Sequence, residues 1–469
     1  MSPLPSVKLF TQLLSRVVNL KEYSAAIHLF EDMSCNFGVS VDEYTMTIAI
    51  NCYCLSNWVD YGFSILGWFF KRGCVPNEQD YGTVIDGLCK AGNVAAAIEL
   101  LRVMEKGKKG CKPNTHIYSM VIDGLCKDKM IDSALKLFDE MSERGIRPDV
   151  VTYNALIDAL CKEGLVDEAK DVLQIMEEQN VSPDVISYSS LMGGYCLQGR
   201  MDEARNVFDS TMARMNIAPD IWSYNILING YCKKKKIDDA MLVFREMPRE
   251  GVKPNVATYT TVLQGLFRCG RDSCALKLFD ELQVVGVKPN FYTYCNMLDG
   301  LGRNGQVERA LLLLDALERK GEGEHHLHIA YYNIVMDGLI EAKKLDLARA
   351  LFRDVASKGL EPDVVTYTTM IKGCCQNGLL EEAKDILQKM EQASVLPDEL
   401  TYNSVIRGNL KEGQYEDAAK LFEEMDAKGF SLAASTFELL LGLLGTTEQN
   451  PTIFKIIQNL APNALKRKL

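Results

Sequence analysis

Hydrophobic and polar positions along this 469-residue chain alternate in blocks that restart at a regular interval. Between Val150 and Asp184, the residues Tyr153, Leu156, Ile157, Leu160 and Cys161 recur at helical spacing, which places them on one apolar face. Asp149 stands where an N-cap belongs, and Gly164 where that helix should stop. A second periodic run carries Val166, Ala169, Val172, Leu173 and Met176 on its stripe and ends near Asn180, before Pro183 and Asp184 open the next block. The pattern predicts a helical hairpin of about 35 residues whose apolar faces only neighbouring hairpins can cover.

The phrase PDVVTYN at Pro148 returns as PDVISYS at Pro183, PDIWSYN at Pro219, PNVATYT at Pro254, PNFYTYC at Pro289, PDVVTYT at Pro362 and PDELTYN at Pro397. Aligned on the Tyr and small-residue landmarks, twelve repeats begin at Val7, Glu43, Glu78, Thr115, Val150, Val185, Ile221, Val256, Phe291, Ile329, Val364 and Glu399. The second helix keeps register through Ala26, Gly62, Ala97, Ala134, Ala169, Ala204, Ala240, Ala275, Ala310, Ala348, Ala383 and Ala418, small enough for two helices to approach closely. Insertions fall at GKKGCKPN (Gly107 to Asn114) and GEGEHHLH (Gly321 to His328). The expected organisation is an extension at 1–6, repeats over 7–433, and a degenerate repeat with a C-terminal cap over 434–469. The fold class is all-α, a solenoid of stacked helix-turn-helix hairpins.

Composition adds constraints. Hydrophobic residues at 47% and charged residues at 25% describe a folded chain, not a disordered one. A net charge of −11 sits awkwardly with a polyanionic partner unless the charges are segregated. Of fifteen cysteines, Cys54, Cys89, Cys126, Cys161, Cys196, Cys232 and Cys375 occupy one equivalent position. Neighbouring equivalents should lie roughly 10 Å apart, beyond disulfide reach, so they read as small buried apolar residues in a reducing compartment. No apolar run approaches the ~18 residues of a membrane span. The start, MSPLPSVKLF, has neither a secretory core nor an organellar presequence pattern, so either a presequence is missing from this chain or the protein stays in the cytosol.

The residues that packing does not explain lie on the opposite arc. At about 100° per residue, Val151, Asn154, Asp158 and Lys162 share one side of the first helix. The last of these positions is basic in seven repeats: Lys90, Lys127, Lys162, Lys233, Arg268, Arg303 and Lys411. These side chains could line an anionic backbone, or merely favour a helix C-terminus. The second position carries Val151, Ile186, Trp222, Tyr292, Val365 and Leu400, suited to flat bases or to packing between hairpins.

The fifth position is small and polar in Thr11, Thr47, Ser119, Asn154, Ser189, Asn225, Thr260, Asn333, Thr368 and Asn403, and is expected to face out. The final position is Asp or Asn in Asp42, Asn77, Asn114, Asp149, Asp184, Asp220, Asn255, Asn290, Asp363 and Asp398. Capping explains the final position, but Ser, Thr and Asn are poor helix-interior residues, and together the two positions offer donors and acceptors for the edge of one base.

The segment VTYNALIDALCKEGLVDEAKDVLQIMEEQNVSPD resembles a pentatricopeptide repeat, and the resemblance extends from Val7 to about Ala433. Uniform repeat length resembles the P-type subclass; PLPSVKLFTQLLS and the DGLCK-type phrases resemble restorer-of-fertility-like members. The resemblance implies a right-handed superhelix that binds about twelve nucleotides of single-stranded RNA, one base per repeat, on mitochondrial or, second, plastid transcripts. It implies no cofactor and no catalysis, with stabilisation, processing or translation control by occupancy and possible protein partners.

Its code, carried over, pairs Asn154 with Asp184 and Asn333 with Asp363 for U. It pairs Thr368 with Asp398 and Thr11 with Asp42 for G, with Ser119–Asp149 and Ser189–Asp220 as weaker versions. Thr47–Asn77 and Thr260–Asn290 resemble A readers, and Asn225–Asn255 a pyrimidine reader. Gly82–Asn114 and Cys295–His328 lack a standard pair, and Asn403–Ala433 is incomplete. The implied target is G-A-?-G-U-G-Y-A-?-U-G-Y. Lys8, Tyr44, Gln79 and His116 depart from the apolar second position.

Enzymatic chemistry finds little footing. His325, His326 and His328 beside Glu324 lack a second ligand cluster, no G-x-x-x-x-G-K-[ST] loop is present, and no H-x-E precedes a P-C-x-x-C. The alternative function is a protein-binding scaffold of tetratricopeptide type, whose W-x2-L-G-x2-Y phrase is not found.

Overall fold

The structure, a computed structural model, describes residues 7–33, 41–56, 58–71, 76–106, 111–320 and 327–446. These form two compact units, Met1–Lys234 and Lys235–Leu469, each a tandem stack of α-hairpins with no strand among the described residues. A first helix begins at each of Val7, Glu43, Glu78, Thr115, Val150, Val185, Ile221, Val256, Phe291, Ile329, Val364 and Glu399, and a helix over Ala434–Thr446 follows the last hairpin. The basic end at 460–469 lies outside the described residues.

From Glu43 onward, each first helix starts where it does because of its cap. Asp149 Oδ1 accepts the Thr152 N–H at 2.9 Å and Asp363 Oδ1 accepts that of Thr366 at 2.9 Å, satisfying donors that have no intrahelical partner. Second helices such as Val166–Glu178 have no side-chain cap, and the chain enters that one through Gly164, whose φ of 83° costs glycine little. The small residues that keep register, from Ala26 to Ala418, are buried. The rings of Tyr153 and Phe138 of the preceding hairpin meet in a T-shaped arrangement at 5.3 Å between centroids, as do those of Tyr224 and Phe208 and of Tyr259 and Phe244. The hydroxyls of Tyr118, Tyr188 and Tyr332 donate to Glu105, Glu177 and Glu318 on the preceding second helices.

The equivalent cysteines have a definite packing role. A Cβ built on Gly194 would lie 2.7 Å from Cys161 Sγ, and Gly87, Gly124, Gly230 and Gly408 receive Cys54, Cys89, Cys196 and Cys375 at 2.6–2.7 Å. Each of these five thiols therefore fills the notch left by a glycine, which brings consecutive first helices close together. No disulfide joins cysteines among the described residues. Burial pushes the Cys161, Cys196 and Cys375 thiols up to about 12.

Because the folded thiols hold their protons more tightly than unfolded ones, their contribution to stability is complete below the ordinary value of 9.0 and is lost as pH rises from there towards 12. The urea midpoint is therefore expected to be lower at pH 10.5 than at pH 7.5. An equal midpoint at the two pH values would contradict this account of the thiols.

Candidate nucleic-acid interface

The second-position side chains protrude from the first helices. Val151, Trp222 and Tyr292 are 66%, 66% and 69% exposed, and Ile186, Val365 and Leu400 are also exposed, so packing between hairpins does not occupy them. Of the departures from the apolar row, Lys8, Tyr44, Gln79 and His116 are likewise exposed. Within the first unit, Trp222 overhangs a recess of about 360 Å³ lined by Lys162, Ser189, Cys196 and Lys233 among others.

The fifth-position side chains do not face out as the helical wheel predicts. Thr11, Ser119, Ser189, Asn333, Thr368 and Asn403 are buried, and Thr47, Asn154, Asn225 and Thr260 are half-buried. The reason is the next hairpin, whose third residue lies against them. Thr11 meets Thr45 at 3.0 Å between hydroxyl oxygens, Ser119 meets Thr152 at 2.5 Å, and Ser189 meets Ser223 at 2.8 Å. Thr260 meets Thr293 at 2.9 Å, Thr368 meets Thr401 at 2.7 Å, and the Thr47 hydroxyl donates to buried Asp80. These side chains sit at the floor of the groove between consecutive first helices.

Asn154 and Asn333 share a fuller arrangement. Asn154 Nδ2 donates to Asp184 Oδ1 at 3.1 Å, while its Oδ1 accepts the Ser187 hydroxyl at 2.6 Å. Asn333 Nδ2 donates to Asp363 Oδ1 at 3.0 Å, and its Oδ1 accepts the Thr366 hydroxyl at 2.7 Å. Burial raises the affinity of Asp184 for a proton, but the N–H of Ser187, the Asn154 amide, the Ser187 hydroxyl and the N–H of Ile186 outweigh it and hold the carboxyl below its usual value. Asp363 is held down in the same way by Thr366, Asn333 and Val365. Both carboxylates therefore stay ionised through neutral pH, and their stabilising contribution is lost only as pH falls through and below the usual carboxylate range near 4. Asn403 is held differently, donating to Ser431 O at 3.1 Å and accepting the Ala433 N–H at 2.8 Å, so no side chain stands opposite it as a final-position partner.

The basic row is exposed, but four of its members have a carboxylate one turn back. Lys90 reaches Asp86 at 2.6 Å, Lys127 Asp123 at 2.5 Å, Lys162 Asp158 at 2.6 Å and Arg303 Asp299 at 2.7 Å. Exposed pairs of this kind contribute little to stability and can exchange partners. For Lys233, Arg268 and Lys411 the residue one turn back is Asn229, Gln264 or Arg407, so the helix supplies no carboxylate. Lys411 also shares an open recess with Lys372 and Arg407, and Lys372 is paired with Asp337 and Glu341 of the preceding hairpin.

His328 caps the helix at Ile329 by accepting the Ala330 N–H on Nδ1 at 3.1 Å; Glu324, His325 and His326 lie outside the described residues. No group of three potential metal ligands occurs among the described residues, and no helix there is long and apolar enough to cross a membrane.

Comparison with known proteins places this geometry. The PPR repeat family model matches residues 76–127, 113–162, 148–197, 183–233, 219–268, 254–303, 328–376, 362–411 and 397–445, and the PPR repeat model matches 292–322. A putative mitochondrial pentatricopeptide repeat-containing protein of Arabidopsis thaliana is 32% identical over 99 residues, which are 21% of this chain and 16% of the relative. A second mitochondrial pentatricopeptide repeat-containing protein of that plant is 41% identical over 71 residues, 15% of this chain and 11% of the relative. The aligned stretches thus span less than a fifth of either relative. The crystal structure of the maize pentatricopeptide repeat protein PPR10 superposes with a TM-score of 0.57 at 21% identity, covering 98% of this chain and 74% of that one, a likeness of fold. PPR10 has also been crystallised in complex with an 18-nt psaJ RNA element, a form that superposes with a TM-score of 0.48 at 20% identity over 97% of this chain and 84% of that one. With the family model matched over well more than half of its length, on the very hairpins described above, this chain belongs to the PPR repeat family of pentatricopeptide repeat proteins.

Proposed function

We propose that this chain is a sequence-specific single-stranded RNA-binding protein of the P-type, restorer-of-fertility-like class. It acts by occupancy, without catalysis or cofactor, on mitochondrial transcripts, a plastid being the second candidate compartment, to stabilise, process or control translation of its target. The observation that carries the reading is the recurrence, in most repeats, of one polar pair, fifth residue and following cap, at the floor of the groove, alongside a row of exposed apolar second-position side chains from Val151 to Leu400. The second-position residues clamp bases, the basic row follows the phosphates, and the polar pair meets the base edge.

Hydrogen-bond bookkeeping supports the code. A carboxylate only accepts, so Thr401, which donates to Asp398 at 2.8 Å, must receive the proton of Thr368. Thr368 and Asp398 are left with lone pairs alone, matching the N–H donors on the pairing edge of guanine. In the repeat at Val256, Asn290 Oδ1 accepts the Thr293 hydroxyl at 2.9 Å, which leaves its amide N–H groups to donate to an adenine ring nitrogen. Asn154 retains one N–H for a uracil carbonyl after serving Asp184.

Binding to an RNA of pattern G-A-?-G-U-G-Y-A-?-U-G-Y should fall steeply with salt, by about 0.7 log units per log unit of salt for each phosphate contact. No RNA retention even at low salt would refute the reading. Asn154→Thr, which keeps a hydroxyl opposite Ser187 as Ser189 has opposite Ser223, is expected to move one nucleotide from U towards G with folding intact. An unchanged sequence logo after selection would refute the pairing.

A further inference from the structure

We infer that a hydroxyl residue at the third position of a first helix, as at Ser187, Thr366 and Thr401, is a positioning residue that sets which hydrogen-bonding groups the preceding repeat presents to its base. The inference rests on the proposed RNA-reading function and extends it to a position outside the fifth and final pair. Ser187 stands between both members of one pair, donating to Asn154 Oδ1 at 2.6 Å and lying 3.1 Å from Asp184 Oδ1. Thr366 repeats this at 2.7 Å from Asn333 Oδ1 and 2.8 Å from Asp363 Oδ1. An amide oxygen that receives this hydroxyl cannot rotate outward, so the Asn nitrogen must face Asp and the groove. Where the fifth residue is Thr368, the third-position hydroxyl of Thr401 takes its proton and passes its own to Asp398.

Helix capping alone would also place Ser or Thr at the third position, because several of these hydroxyls complete a capping box. The chain itself separates the two explanations. Asn114 caps its helix through the Ile117 N–H at 3.0 Å with no hydroxyl at the third position, and the fifth residue of the preceding repeat there is Gly82. The helix at Ile329 has buried Tyr331 at the third position, and the preceding fifth residue is Cys295. Where the fifth residue has little hydrogen bonding to orient, the third-position hydroxyl or carboxylate is gone, although the cap remains. Capping does not make the third residue depend on the fifth residue of the preceding repeat; orientation of a base-reading side chain does.

The test uses the full chain and selection from a random RNA pool, with Ser187→Ala, Ser187→Thr and Thr366→Ala beside the unaltered protein. Ser187→Ala should lower the preference for U at the nucleotide read by Asn154 roughly tenfold, leave the other nucleotides unchanged, and be rescued by Ser187→Thr. Thr366→Ala should do the same at the nucleotide read by Asn333, and it carries the test if Ser187→Ala does not fold. Full U preference in the Ala variants, with or without a lower melting temperature, overturns the inference and leaves the hydroxyls as caps. An unaltered protein with no preference at any nucleotide overturns the RNA-reading function itself, and this inference with it.

Discussion

Gly194→Val is expected to destabilise the protein by about 3 kcal/mol, the scale of overpacking in a tight interface. The first added carbon would lie 2.7 Å from Cys161 Sγ, 2.8 Å from Cys161 Cβ and 2.9 Å from Val166 Cγ2, none of them the far end of a flexible chain. Valine is the better helix former by only a few tenths of a kcal/mol, which does not offset that clash. In a stack whose stability is a sum of hairpin and neighbour-interface terms, the damage concentrates at one interface, so the single denaturation transition should broaden or split there. Gly193, the adjacent residue, has nothing within 4 Å of its added carbon, and Gly193→Val should stay within about 0.5 kcal/mol of the unaltered protein. Urea denaturation of the two variants side by side decides the matter; equal midpoints would sink the thiol-in-notch account.

Replacing Lys233, Arg268 and Lys411 together by alanine is expected to weaken binding of all RNA sequences alike. The loss should be on the order of a hundredfold at low salt, if each contact contributes about 1 kcal/mol. The salt slope should flatten by about 2. These three have no carboxylate one turn back on their own helices, whereas Lys162 is paired with Asp158 at 2.6 Å. Removing Lys162 and Asp158 together deletes no net charge and should change the slope little. Filter binding across a salt series checks both; a triple variant with the original slope would remove the basic row from the RNA path.

Much of this was readable in the chain. The starts of the first helices follow from Asp or Asn caps at a fixed spacing, and the close helix contacts from residues such as Ala169 and Ala204, because capping and packing within a hairpin are local. The outward placement of Val151 and Trp222 also follows from a single helical wheel, and the structure has both exposed.

What a single wheel misplaces is the fifth residue. Asn154 lies on the polar arc of its own helix, yet its partners Asp184 and Ser187 are 30 and 33 residues away, on the next hairpin. The wheel carries no knowledge of that neighbour. The same limit hid the glycine notches, since Cys161 and Gly194 become complementary only when two repeats are stacked. The Asp158–Lys162 pairing was readable from its i,i+4 spacing, and it moderates the basic row that the lysines alone would predict.

Selection from a random RNA pool with the unaltered chain tests the central claim most directly. The account predicts one enriched motif of about twelve nucleotides resembling G-A-?-G-U-G-Y-A-?-U-G-Y, with U at the nucleotides read by Asn154–Asp184 and Asn333–Asp363. A pool that emerges without an enriched motif, or with one that lacks U at those two places, would contradict it.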